Sequence, residues 1–394
     1  MQNNPKIPEG WSVKKLGNVI DTFSGGTPLA GKSIYYENGT IPFIRSGEIY
    51  QNYTELFITE KGLQESSAKM VNKGDLLFAL YGANSGEIAI SQIEGAINQA
   101  ILCIRPKEDN IHYLKNSLIL LKDRMLHKYL QGGQGNLSAE IVKSLKLLFP
   151  PLPEQEKVAL VLGMWDEAIE KLSGLIEQKK LLKKGLMQEL LTGKTRLPGF
   201  TQPWKEVKLG SVLESISRRN KNLNTTRVLS VTNSRGFVLP EEQFARVVAS
   251  EDLSNYKIVK KGEFAYNPSR LNVGSIDRLD NFTDGVLSPM YVIFKCNEQL
   301  LSDYMKHWIT TTEFNSKVRN SAQGSVRETV DFKTLSTIKI RLPSDITEQH
   351  AIADILSTAD DEINLLNQKL EAIKEQKKGL MQQLLTGQIR AKVN

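Results

Sequence analysis

The sequence predicts an α+β protein: two mixed β-rich globular domains joined by two long antiparallel coiled-coil helices, arranged as a pseudo-two-fold internal repeat. Three observations predict it. First, Gly185-Leu186-Met187-Gln188-Glu189-Leu190-Leu191-Thr192-Gly193 returns 194 residues later as Gly379-Leu380-Met381-Gln382-Gln383-Leu384-Leu385-Thr386-Gly387. Second, each half holds a long proline-free stretch with apolar residues at alternating spacings of four and three. Third, the remainder of each half is a series of short apolar runs broken by Gly, Asn and Pro, the mark of short strands.

In the first β-rich region, 1–150, the strand candidates are Ile41–Arg45, Asp75–Tyr81, Glu87–Ile90 and Ala100–Ile104, with a helix over His112–Gln131. In the second, 197–343, they are Arg227–Val231, Phe264–Tyr266, Met290–Phe294 and Thr337–Leu342, with a helical stretch near Leu301–Val318. Pro150, Pro151 and Pro153 end the first region, because proline starts helices and does not continue them. The first long helix falls within 151–196 and the second within 344–394. In the first, Val158, Leu162, Trp165, Ile169, Leu172 and Ile176 make a coiled-coil seam; in the second, Ile352, Leu356, Ala359, Ile363, Leu366, Leu370 and Ile373 do so. Gly193 and Gly387 suit helix stops. Burying two such stripes against each other is the simplest solution within one chain, and forty residues of helix span roughly 60 Å. Antiparallel pairing then sets the β-rich domains at opposite ends.

Trp11, Leu16 and Gly17 return as Trp204, Leu209 and Gly210, and Glu154-Gln155 returns as Glu348-Gln349. The helices are nearly duplicated and the β-rich regions share little else. A shared scaffold carrying two different readers is the simplest account. An internally two-fold chain behaves like a covalent dimer, and duplex DNA is the commonest two-fold partner.

Composition is that of an ordinary globular protein, with 40% hydrophobic and 24% charged residues. The formal net charge of +7 permits a nucleic-acid footprint. Cys103 and Cys296 sit in apolar runs and read as reduced residues of a cytoplasmic protein. No membrane span or signal segment is evident.

Some motifs point elsewhere and fail on context. Gly26-Thr27-Pro28-Leu29-Ala30-Gly31-Lys32-Ser33 satisfies the P-loop pattern, yet Asn38-Gly39 leaves no room for the helix whose N-terminus must face the phosphates. Asn267-Pro268 opens like a methyltransferase motif but lacks the second proline and the aromatic residue. The four histidines, His112, His127, His307 and His350, are scattered, so no metal site and no catalytic constellation is expected.

Loop-like segments hold side chains able to bond base edges and phosphates. The candidates are Arg45, Ser46, Tyr81, Asn84, Gln99, Gln134 and Asn136 in the first half. In the second they are Asn233, Arg235, Asn267, Arg270, Asn272, Gln323, Ser325 and Arg327. Lys179, Lys180, Lys183, Lys184, Lys374, Lys377 and Lys378 are candidates for phosphate contacts or for a solvated helix face.

Taken in order, these features resemble the specificity (S) subunit of type I restriction–modification systems. The resemblance rests on the Trp-x4-Leu-Gly opening, Ser24-Gly25-Gly26-Thr27-Pro28, Gly74-Asp75, Asn98-Gln99, and Glu154-Gln155. It continues through Lys184-Gly185-Leu186-Met187, Tyr266-Asn267-Pro268, Ser288-Pro289-Met290-Tyr291 and Lys378-Gly379-Leu380-Met381. It implies that 1–150 and 197–343 are target recognition domains and that 151–196 and 344–394 are spacer helices. The partners it implies are double-stranded DNA, two methyltransferase (M) subunits and restriction (R) subunits. The chain itself is then non-catalytic and holds no cofactor, with S-adenosylmethionine, ATP and Mg on the partner subunits. Two unlike domains imply an asymmetric bipartite target. The competing reading is a two-headed coiled-coil adaptor without DNA sequence specificity. An autonomous ATPase or nuclease resting on Lys32 is a third.

Overall fold

The structure is a computed structural model and describes residues 7–130, 137–240, 252–322 and 329–393. The chain divides into two compact units, Met1–Ser173 with Lys369–Asn394, and Gly174–Gln368.

The first unit contains an antiparallel sheet in the order Ile20–Ser24, Ile101–Pro106, Leu76–Ala79, Ile88–Ile90. Successive side chains of a strand point to opposite faces. Leu76 and Phe78 accordingly enter a core with Tyr113, Leu114 and Leu118 of the helix Ile111–Leu130. Leu77 and Ala79 enter a second core with Ile44, Val71 and Ile97. Because both faces are covered, Leu76–Ala79 is apolar throughout rather than alternating. Ile44, Val71 and Ile97 belong to the other sheet, ordered Phe57–Ile58, Ile41–Ile44, Gly95–Ile97, Lys69–Val71.

The second unit repeats the central sheet with Leu213–Ile216, Val292–Cys296, Phe264–Tyr266 and Ile276–Arg278. Phe264 and Tyr266 face one core and Ala265 the other. In place of the second four-stranded sheet stand two antiparallel pairs, the hairpin Ser230–Thr232 with Gly236–Val238, and Lys257–Lys260 with Asp284–Leu287. The apolar run at Arg227 is therefore strand only from Ser230, with Val228 bridging Val286. The helical stretch expected near Leu301–Val318 is two helices, Ser302–Trp308 and Thr312–Ala322. Thr311 divides them, its hydroxyl accepting from the Phe314 amide at 3.1 Å as a cap for the second.

The long helices are Leu152–Leu190 and Ile346–Leu385. Gly193 and Gly387 follow them in the left-handed conformation, with φ of 68° and 73°. In the first unit Val158 and Leu162 are buried with Met381, Leu384 and Leu385. In the second, Ile352 and Leu356 are buried with Leu190 and Leu191. Within each unit, then, the start of one helix packs on the end of the other, as antiparallel segments must. Leu172, Ile176, Ile363 and Leu370 are also buried, while Trp165, Ile169 and Leu366 are half-buried. Full burial of one such side chain contributes roughly 1.5–3 kcal/mol.

Each unit closes on a buried carboxylate. Arg390 holds Glu154 through Nε and Nη2, both at 2.7 Å, and the Trp11 indole donates to the same carboxylate at 3.1 Å. In the second unit Arg196 holds Glu348 at 2.6 and 2.8 Å, and Trp204 donates to it at 3.3 Å. In both units the arginine also stacks over the tryptophan, 5.7 Å from the ring centre. The Arg390 partnership, offset by burial, holds the Glu154 carboxyl below its ordinary range. Beside each carboxylate a glutamine secures the approach to the helix. Gln155 donates to Pro150 and accepts from the Asn110 amide; Gln349 donates to Pro343 and accepts from the Leu301 amide. The duplication of Glu-Gln thus has a structural cause. The arginines were legible by the same rule, since Arg196 and Arg390 are also 194 residues apart.

Lys32 follows the expectation for a false P-loop. Only a 3₁₀ turn, Ser33–Tyr35, comes after it, and its ammonium donates to the Tyr35 hydroxyl at 2.9 Å. Both cysteines are free, and burial pushes each thiol up to about 12. Among the described residues no helix is long and apolar enough to cross a membrane.

Candidate nucleic-acid interface

In the first unit three neighbouring strands of the central sheet end at one edge. Ile20–Ser24 runs into Thr27, Leu76–Ala79 runs into Tyr81, and Gln99 leads into Ile101–Pro106 between them. The Gly25 amide donates to the Asn98 carbonyl at 3.2 Å, and the Leu80 amide to the Ala100 carbonyl at 2.8 Å. A side chain on Gly25 would place its Cβ 1.8 Å from the Ile97 carbonyl oxygen, so only glycine allows this approach. The Thr27 hydroxyl donates to Gln99 Oε1 at 2.8 Å. Burial raises the Tyr81 hydroxyl above its ordinary range, and the adjacent Gln99 side chain opposes that rise. Gln99 itself is exposed. Asn98 beside it is occupied locally, its Oδ1 accepting from the Ala100 amide at 3.0 Å.

Asn84 lies in the loop after Tyr81, its amide nitrogen beside Gly47. The Arg45–Ser46 turn is thereby brought to the Tyr81 loop. Arg45 is engaged there by acids: Nε and Nη2 donate to the buried Glu48 at 3.1 and 2.8 Å, and Nη2 to Glu55 at 2.6 Å. Burial alone would raise the Glu48 carboxyl, but Arg45 and two backbone amides hold it down to about 2. Arg45 therefore shapes this turn, and the polar chain leading from it is anchored by the Tyr50 hydroxyl donating to Glu87 at 2.6 Å. Ser46 is half-buried beside it.

In the second unit the strand Phe264–Tyr266 ends in the loop carrying Asn267, Arg270 and Asn272. Asn267 shapes its own turn, with Oδ1 accepting from the Ser269 amide at 3.0 Å. Arg270 is exposed and Asn272 half-buried. The hairpin turn with Asn233 and Arg235 lies alongside, Asn233 next to Gly274 and the Ser275 hydroxyl donating to the Val231 carbonyl at 2.6 Å. The Arg235 amide donates to Thr232 Oγ1 at 3.0 Å. Thus the structure gathers Thr27, Tyr81, Asn84 and Gln99 in one unit, and Asn233, Arg235, Asn267, Arg270 and Asn272 in the other. Gln134, Asn136, Gln323, Ser325 and Arg327 lie outside the described residues. The residues flanking those segments reach the same loops: the Leu137 amide donates to the Leu80 carbonyl, and the Val330 amide to the Pro268 carbonyl.

Most of the helix lysines are committed within their own unit. Lys183 pairs with Asp360 and Lys179 with Glu362; Lys377 pairs with Asp166. Lys180 and Lys374 bond glutamates one turn away, Glu177 and Glu371. These five therefore take part in ion pairs on and between helices, Lys180 and Lys374 on exposed faces. Thr27 is the member of the site that the side-chain inventory missed. Its signal was the Gly-Gly before it, which allows the loop to touch the strand carrying Asn98-Gln99. Among the described residues no group of His, Cys, Asp and Glu is placed to hold a metal ion.

Comparison with known proteins agrees with this architecture. A profile described as the type I restriction modification DNA specificity domain matches residues 8–178 and 287–375. The MjaVIII specificity subunit of a type I restriction enzyme from Methanocaldococcus jannaschii is 26% identical, over 98% of this chain and 95% of that protein. The putative MjaX specificity subunit of the same organism is also 26% identical over the same shares of the two chains. The S subunit structure from M. genitalium shares the fold, with a TM-score of 0.60 and 14% identity over 98% of both chains. A chain from a structure of type I restriction–modification complex assembly and conformational transition has a TM-score of 0.57 and 15% identity, covering 98% of this chain. With about two thirds of its residues matched by the family profile, the chain belongs to the family of type I restriction–modification DNA specificity (S) subunits.

Proposed function

We propose that this chain is the non-catalytic reader of a bipartite, asymmetric duplex target. In this reading 1–150 and 197–343 each take one half-site, and 151–196 and 344–394 fix the spacing between them. One observation carries it: two copies of the same strand framework present different side chains at the same edge. Gln99 of the first unit and Pro289 of the second hold corresponding places, because Phe78 pairs with Leu102 where Tyr266 pairs with Val292. Unlike edges on like frameworks suit unlike half-sites.

The reader acts in the cytoplasm with two M subunits, which supply S-adenosylmethionine chemistry on adenine, and with R subunits, which supply ATP- and Mg-dependent cleavage. A base inside a duplex must be flipped out for methylation, so the reader's task is to place the M subunits over the correct adenines. Binding weakens steeply with salt, as phosphate contacts do.

The test is co-expression with the M partner and genome-wide mapping of modified adenines, with the partner alone as control. The expected result is a chain-dependent bipartite motif with unlike halves. A stable complex without any motif would leave an adaptor instead.

A further inference from the structure

Among the described candidate base readers, Gln99 is exposed and its amide oxygen is held by Thr27. It sits on the approach to the middle strand of three, with Thr27 delivered by one neighbour and Tyr81 by the other. Thr27 donates to Oε1 at 2.8 Å, and Tyr81 lies on the other side of the same side chain. An amide oxygen has two lone pairs and an amide nitrogen two hydrogens. After Thr27 is served, an acceptor and a donor remain side by side on an exposed residue.

That remaining pair is one acceptor beside one donor. In the major groove adenine presents the complement, the N6 amino donor beside the N7 acceptor. Guanine presents two acceptors, O6 and N7, and would set O6 against Gln99 Oε1. A glutamine held by Thr27 also loses less freedom on binding than a loose one.

We propose that Gln99 reads an adenine in the half-site taken by the first unit, with Thr27 and Tyr81 as the positioning residues that hold its amide. The inference rests on the DNA-specificity reading above. The second unit has no equivalent, because Pro289 occupies that place and has no side-chain hydrogen-bonding group.

The experiment selects bound duplexes from a randomised library at fixed salt, using the chain in complex with its M partner. Gln99→Leu is expected to relax one adenine of one half-site by about tenfold and to leave the other half-site unchanged. Thr27→Val and Tyr81→Phe should relax the same position by a smaller factor, about two- to fivefold. The selected duplex is then remade with 7-deazaadenine, which lacks N7, at that position. The unmodified complex should bind it about tenfold more weakly, and the Gln99→Leu complex should not distinguish it from the parent duplex. Gln99→Leu selecting the same motif at every position would overturn the inference and leave the specificity reading intact. So would equal weakening of both complexes by 7-deazaadenine, or loss of both half-sites, which would make Gln99 part of the scaffold. An unmodified complex that selects no motif would overturn the specificity reading and this inference with it.

Discussion

The two units treat their duplicated residues and their divergent ones differently. Glu154, Arg390 and Trp11 in the first match Glu348, Arg196 and Trp204 in the second, bond for bond. Lys377–Asp166 matches Lys183–Asp360 in the same way. At the sheet, however, Phe78 becomes Tyr266 and Gln99 becomes Pro289. On the helix packed beside the long helices Asn116 becomes His307, each six residues past the amide bonded by Gln155 or Gln349. Contacts that hold a helix end tolerate no variation in geometry, since a buried carboxylate without its arginine is an uncompensated charge. Side chains at an exposed sheet edge are under no such constraint, and there the units part.

The comparison breaks most completely if the helices are changed. Removing one turn from both long helices should abolish modification of the original target and yield a motif with the same half-sites and a different spacer. Genome-wide mapping of modified adenines checks it. A shortened chain that keeps its spacer would show that the helices do not set the distance. Next in size are the carboxylate clamps. Glu348→Ala should cost the second unit about 3 kcal/mol, read from its denaturant midpoint, by leaving Arg196 unpaired. Glu154→Ala should cost less, about 2 kcal/mol, because Arg390 is 44% exposed and Arg196 is 29% exposed, so water compensates the former better. Equal losses would mean that exposure of the arginine does not govern the penalty.

The long helices were legible because their apolar spacing repeats over many turns and their ends carry proline and glycine. Seam positions such as Val158, Leu162, Ile352 and Leu356 are buried as that spacing requires. The strands were legible where they are apolar throughout, as at Leu76–Ala79. The division of the helical stretch Leu301–Val318 at Thr311 was not, because its apolar period continues through the cap. Arg45 reads in sequence as a base-contacting loop arginine, yet the acids that hold it, Glu48 and Glu55, are close neighbours and were present to be counted. Thr27 could not be placed beside Gln99 from sequence, since 72 residues separate them and only the order of strands brings them together.

Acid should separate the units in a third way. Burial, with Lys183 and Lys306 nearby, pushes His307 down to about 4 despite the opposing pull of Asp360 and Asp303. Its Nε2 lies 3.1 Å from Ser357 Oγ. A histidine with a lowered folded pKa leaves stability unchanged above its unfolded value of about 6.5 and reduces it as pH falls toward 4, because the unfolded chain takes the proton first. The second unit should therefore lose up to about 3 kcal/mol across that window. Asn116 does not titrate; the first unit's His112, lowered by burial and by Lys115, adds a loss of the same sign at its own place, and Glu48, held to about 2, sheds its contribution only below the ordinary carboxylate range. His307→Asn should flatten the second unit's dependence between about pH 6.5 and 5. Denaturant midpoints measured across that interval decide it, and a slope unchanged by the substitution would assign the titration to another group.

The smallest effect tests the sheet itself. Tyr266 is fully buried and its hydroxyl has no hydrogen-bonding partner among the described residues. Burial drives that hydroxyl far above its ordinary range, which keeps it protonated, with an O–H to donate and no acceptor among the described residues. A buried polar group without a partner costs about 1–3 kcal/mol. The corresponding residue of the first unit, Phe78, fills the same place without a hydroxyl. Tyr266→Phe should thus stabilise the second unit by about 1 kcal/mol, and Phe78→Tyr should destabilise the first by a similar amount. The pair of substitutions is more informative than either one. Gain in one unit and loss in the other would mean that both places are apolar and that the hydroxyl is a cost the second unit carries. Loss on Tyr266→Phe would mean that an ordered water satisfies the hydroxyl there. The two strands would then differ in the polarity of their surroundings as well as in the side chains they carry toward the loop.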